Sequence, residues 1–173
     1  MKLAILHYHL NRGGVTQVVL NQLRALQSVA DRLQLTDVLV MHGGRADGWP
    51  DIEWPDAFRV RVESVDGLDY EDSDELRDLT LTNRIALKLE QFGFAPHETI
   101  LHIHNHSLGK NVSLPGAVRN LAEREFRILL QIHDFAEDLR PANYAKYPRA
   151  LETSDTAAVG RYVYPIAEHI HYA

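Results

Sequence analysis

The chain contains no cysteine. That excludes disulfides and thiolate metal sites, and it fits a reducing compartment. Basic residues are sparse: 18 Lys and Arg stand against 24 Asp and Glu, for a formal net charge of −6. A broad footprint for nucleic acid is therefore not expected. No apolar run approaches the length of a membrane span. The N-terminal apolar run carries His7 and His9 and has no small-residue cleavage site, so it does not read as a secretory signal. The expectation is a cytoplasmic protein, with peripheral membrane contact left open. Several chemical signatures are also missing. No G-x-G-x-x-G follows the first strand, no Gly-Lys-Ser/Thr follows a glycine turn, and neither H-E-x-x-H nor G-x-S-x-G occurs. There is no internal repeat and no low-complexity segment.

What is present is the composition of an ordinary globular domain. The 173 residues are 45% hydrophobic and 24% charged, enough to bury a core without staples. Residues 1–30 hold the chief organising signal. Lys2 to His9 reads as a short buried strand, Asn11 to Gly14 break it, and Val19, Leu20, Leu23, Leu26 and Ala30 recur at helical spacing, with Thr16 placed to cap. Adjacent glycines between a strand and a helix let backbone N–H groups approach an anion, where the helix N-terminus adds partial positive charge. A plain tight turn is the competing reading.

Further along, Leu35 to His42 reads as a second strand. A loop from Arg45 to Phe58 follows, with Gly48, Pro50, Pro55, Trp49 and Trp54, its tryptophans placed to pin it. Arg59 to Val65 alternates as a more exposed strand. The acidic stretch Asp66 to Glu75 reads as a solvated loop. Asp74 to Gly93 is helical, capped by Ser73 or Asp74, with the Leu79–Thr82 run weakening its middle. Thr99 to His104 is a fourth strand, and Ser113 with Pro115 starts a helix. Arg127 to His133 is a strand expected to be covered on both faces. Leu139 to Tyr147 reads as irregular, and Thr156 to Tyr164 is ambiguous. The closing HIHYA of His169 to Ala173 looks like the start of another strand. Alternating strands and helices predict βαβ units in an open, doubly wound, mostly parallel α/β sheet with helices on both faces. Because the chain closes on an apolar β-type pentapeptide, it is expected to be the front part of a longer protein.

Ligands gather outside the carboxyl ends of strands in such a sheet. Three strands end in chemistry-bearing residues: His7, Tyr8 and His9 before Gly13 and Gly14; His102, His104, Asn105 and His106; and His133 with Asp134. Side chains two apart on a strand share a face, so His102 and His104 could join His106 and His133 in a metal site of a hydrolase. Against that stands a simpler role, with His102 packed in its strand and His104 or His106 bonded to loop backbone. Ser107 to Ser113, with Gly109 and Lys110, offers contacts for a phosphate or a sugar hydroxyl, or serves as a plain capped loop.

The strand KLAILHYH, the turn and helix NRGGVTQVV, the strand ILHIHNH and the later QIHDF, in this order, resemble the amino-terminal half of GT-B glycosyltransferases, especially retaining family 4. HIHYA resembles the strand that precedes the crossover to the second domain. The resemblance spans essentially the whole chain. It implies a single Rossmann-like acceptor-side domain over residues 1–173, one half of a GT-B fold. It also implies sugar transfer from a nucleotide sugar to an acceptor hydroxyl with retention, without a cofactor or metal. By resemblance, His133 approaches the transferred sugar and Asp134 supports its loop. Gly13, Gly14 and Val15 lie near the donor diphosphate, and His104, Asn105, His106 and Lys110 line the acceptor side. The second domain with its basic residues and E-x7-E element is not in this chain. The fragment is therefore expected to be inactive, with self-association through the exposed cleft face. A non-catalytic sugar- or nucleotide-binding module is the other alternative.

Overall fold

The computed structural model describes residues 1–51, 54, 56–138 and 140–173. Among these, one six-stranded sheet runs in the order β3-β2-β1-β4-β5-β6, every pair parallel. The strands are β1 (Lys2–Leu6), β2 (Asp37–His42), β3 (Arg59–Ser64), β4 (Thr99–His104), β5 (Arg127–Gln131) and β6 (Ile170–Tyr172). The expected doubly wound α/β sheet is therefore present, and it is wholly parallel. The β1 and β4 strands sit at its centre, flanked by β2, whose residues are all buried; β3, expected to be the more exposed strand, is half-exposed and lies at the edge.

Period-two alternation assigns the two faces. Ala4, Leu6, Leu39, Met41, Leu101 and Ile103 point to one side, where they meet Ile85 and Leu89 of α3 (Asp78–Gln91) and Ala117, Val118 and Leu121 of α4 (Leu114–Glu123). Ile5, Val38 and Val40 point to the other side and meet Val19 and Leu23 of α1 (Gly14–Gln27). Each fully buried Leu or Ile there contributes about 2 kcal/mol of transfer free energy. A short α2 (Ala30–Leu33) leads into β2. Trp49 and Trp54 are half-buried against this second core, their rings 6.1 Å apart, so the tryptophans do pin the loop; Ile52, Glu53 and Pro55 lie outside the described residues.

Several expected boundaries shift. The first strand stops at Leu6, three residues short of His9, and the second begins at Asp37. Thr16 is not a cap. It lies inside the first turn of α1 and donates its hydroxyl to the Asn11 carbonyl at 2.7 Å. The third helix starts at Asp78 and runs unbroken through Leu79–Thr82; Asp74 pairs instead with Arg149. Ser113 sits before α4, but its Oγ accepts the Arg77 N–H at 2.8 Å, serving the entry to α3. The acidic stretch is tied down by Lys146 and Arg149 through Asp72 and Asp74, so it is less free than a solvated loop. The region expected to be irregular holds two short helices, α5 (Pro141–Tyr144) and α6 (Lys146–Ala150), with Leu139 outside the described residues. The ambiguous stretch is α7 (Thr156–Val163), capped by Asp155.

The β5 strand is not covered on both faces. Leu129 is half-buried and borders an apolar groove of about 680 Å³ on the α1 side, together with Leu3, Leu26, Val29 and Ile100. The winding explains this: α1 lies over β1 and β2, whereas α3 and α4 pack on the opposite face.

Candidate functional site

The strand order reverses between β1 and β4, and ligands of open α/β sheets gather beyond the carboxyl ends of the strands at such a reversal. Because all six strands are parallel, the tips of β1, β4 and β5 share that edge. The convergence expected from sequence is therefore real.

On the β1 side, α1 begins directly at Gly14 with Gly13 as the preceding residue. No side chain caps its first N–H groups, and no acid lies in its first turn. Gly13 is extended, with φ 172°. A Cβ there would come no closer than 3.9 Å to the Asn11 carbonyl, and one at Gly14 would meet nothing within 4 Å. Neither the backbone conformation nor the packing of this chain requires glycine at these positions. A plain tight turn therefore does not account for them, and what they leave is bare backbone at a helix N-terminus. Both are exposed, and Val15 is half-buried on the α1 core.

On the β4 and β5 side the histidines behave differently from one another. His102 and His104 share a face, with ring centroids 4.4 Å apart. His102 Nε2 donates to Gln131 Oε1 at 2.9 Å, and Gln22 donates to the same oxygen. His104 is fully buried, and its Nδ1 lies 2.9 Å from Nε2 of the exposed His133. His106 is also fully buried and donates its Nε2–H to the Val163 carbonyl at 3.0 Å. Each histidine thus has a separate partner. Among the described residues no three His, Asp or Glu side chains cluster as a metal site would need.

Asn105 takes the left-handed conformation, φ 55°, and is 2% exposed. Its Oδ1 accepts the N–H of His133 at 2.7 Å and that of Asp134 at 3.2 Å. Its carbonyl accepts the Tyr8 hydroxyl. Asn105 therefore anchors the His133 loop to both central strands. The carboxylate of Asp134 faces Arg140 at 3.5 Å, a surface pair worth about 0.5 kcal/mol at most. His133, Asp134, Phe135, Asp138 and Arg140 line a depression of about 310 Å³.

Burial drives the electrostatics. It pulls the pKa of His104 down to about 2 and those of His7 and His106 to about 4. His9 is lowered too, first by partial burial and then by the Arg45 charge. These imidazoles are neutral at pH 7, so the fixed positive charge of the rim comes from lysine and arginine. Lys110 is half-buried, with its ammonium 5.1 Å from the Tyr70 ring centroid; the Arg45 guanidinium lies 5.2 Å from the same ring and pairs with Asp69.

Of the residues singled out from sequence, Gly13, Gly14, His133 and Asp134 are exposed on this edge and Lys110 is partly so; His104, Asn105 and His106 lie buried behind it. Tyr70 and Arg45 join the rim although sequence reasoning passed over them. The available signal was an aromatic residue set between Asp69 and Glu71 in an otherwise acidic loop.

No protein-family model matches the chain. The chain is similar to the mannosylglucosyl-3-phosphoglycerate synthase of Petrotoga mobilis, 29% identical over 180 aligned residues that take in 99% of this chain and 32% of that protein. It thus spans about a third of the length of the curated relative it matches.

Proposed function

We propose that the chain is the amino-terminal, acceptor-side domain of a glycosyltransferase of GT-B type, one that moves a sugar from a nucleotide sugar to an acceptor hydroxyl with retention. The observation that carries the reading is the pair Gly13 and Gly14. They strip the N-terminus of α1 of side chains at the reversal between β1 and β4, with no internal reason to be glycine. A diphosphate is the chemical group such a bare helix terminus suits. The relative that aligns over nearly the whole chain bears the name of a synthase whose product carries sugars. That product is also a phosphoglycerate, which favours an anionic acceptor here and gives Lys110 and Arg45 a role on the rim.

In this reading the protein positions groups and stabilises charge rather than forming bonds itself. Gly13, Gly14 and Val15 offer backbone N–H groups to the leaving diphosphate. His133 meets the transferred sugar, and Asp134 with Arg140 shapes its loop. Lys110 stands on the acceptor side. His104, Asn105 and His106 support that wall from beneath.

The test is an NMR titration of the chain with nucleoside diphosphates and nucleotide sugars. Amide shifts confined to Gly13, Gly14, Val15 and the His133 loop, at an affinity near 1 mM or about −4 kcal/mol, are expected for half of a site. Shifts confined to other surfaces, or none at saturating ligand, would overturn the assignment.

A further inference from the structure

The contact between His104 and His133 fixes more than a position. The two rings are nearly coplanar in orientation, 4° apart, with centroids separated by 5.2 Å, and Nδ1 of His104 lies 2.9 Å from Nε2 of His133. One proton occupies that contact, on one ring or the other. His104 comes from the tip of β4 and His133 from the loop after β5. The His133 loop is independently held by Asn105, which accepts two of its backbone N–H groups. The ring separation is therefore set by backbone, and the proton has to adapt to it.

The other nitrogen of His104 decides the matter. Its Nε2 is buried and has no hydrogen-bond partner among the described residues. If His133 carried the shared proton, the neutral His104 would hold its own proton on Nε2, as a buried donor with nothing to donate to. If His104 carries the shared proton on Nδ1, only a lone pair is left unmet at Nε2. Orphaned buried N–H groups are rarer than under-satisfied acceptors, so the second arrangement prevails. Burial also keeps His104 from taking a second proton, with its pKa near 2.

We infer that His104 is a positioning residue that donates Nδ1–H to His133 Nε2, and so fixes His133 in the form that carries its proton on Nδ1. The nitrogen His133 has left for a ligand is then a hydrogen-bond donor. It suits an oxygen acceptor, such as a sugar hydroxyl or a phosphate oxygen, and cannot abstract a proton. What the donor serves rests on the sugar-transfer reading; the proton's location does not.

Long-range proton–nitrogen NMR correlation on the neutral chain, without substrate, reads the proton position directly. An unconstrained neutral histidine favours Nε2–H, so a predominant Nδ1–H form of His133 is the expected and diagnostic result. His104→Phe removes the donor and should shift that balance toward Nε2–H by about tenfold, the worth of one hydrogen bond. His104→Gln supplies an amide donor and should restore Nδ1–H. A wild-type His133 protonated chiefly on Nε2 overturns the inference, even if the Phe variant does not fold. So does a folded His104→Phe chain that keeps Nδ1–H. Neither outcome bears on whether nucleotide sugars bind.

Discussion

Gly13 and Gly14 leave out side chains that their own surroundings would accommodate. Since Gly13 is extended and Gly14 opens a right-handed helix, alanine fits both positions without strain. Gly14→Ala even gains helix propensity, of roughly 0.5 kcal/mol. The double variant Gly13→Ala/Gly14→Ala is expected to melt at or slightly above the parent temperature while binding nucleoside diphosphate about tenfold more weakly, because two methyl groups then occupy the approach to the α1 N–H groups. Calorimetric melting and a diphosphate titration check the two halves. Unchanged binding would place the diphosphate elsewhere. Asn105 shows the opposite logic: its left-handed φ and its two-fold acceptance from the His133 loop are internal demands. Nothing in the string HIHNH distinguishes those demands from ligand contact, because both partner N–H groups come from 28 and 29 residues away.

The α3 and α4 helices are locked where Gly116 receives Asp78. A Cβ on Gly116 would fall on the Asp78 carboxylate, which is hydrogen-bonded by the Tyr162 hydroxyl from α7 at 2.9 Å. Gly116→Ala must push that carboxylate off its partner, so it is expected to destabilise the fold by about 2 kcal/mol despite alanine's better helix propensity. Urea unfolding measures it, and an unchanged midpoint would show that the helices separate at little cost. Such element-level contacts mark where sequence reading succeeds and fails. Strand β4 was legible to the residue, since Thr99–His104 is a short run bounded by Pro96 and a polar loop. The apolar stripe of α1 was equally plain. Ser113 and Thr16 looked like caps because their type and spacing suit caps. They serve other partners instead: Ser113 meets the Arg77 N–H, 36 residues away, and Thr16 meets the Asn11 carbonyl. Local pattern encodes period and burial; it does not encode which distant backbone group competes for a hydroxyl.

For the molecule as a whole, the buried imidazoles set a pH limit. His7 and His106 stay neutral in the fold down to about pH 4 and His104 to about 2, whereas unfolded histidines protonate near 6.5. Below 6.5 the unfolded chain binds more protons than the folded one, so stability falls with falling pH, by about 1.4 kcal/mol per pH unit for each of these groups until its folded pKa is reached. Urea midpoints should drop steeply between pH 6.5 and 4 and level off above 7; a flat profile there would mean that these side chains are not buried as neutral rings. The same edge that buries histidines presents only one wall to a ligand. This edge carries a bare helix terminus and two cations beside Tyr70. A transition state for sugar transfer needs charge stabilisation in a water-excluded site, and an open wall supplies little of that. The relative it resembles is about three times as long, which leaves room for a facing domain there. The 173-residue chain is therefore expected to bind nucleotide sugar near the millimolar range and to show no turnover. Incubation with a panel of nucleotide sugars and anionic acceptors, followed by detection of released nucleoside diphosphate, tests this. Release above the buffer rate that depends on acceptor would show that this wall suffices for catalysis. Weak binding without release is the outcome expected if the proposed chemistry requires a second wall.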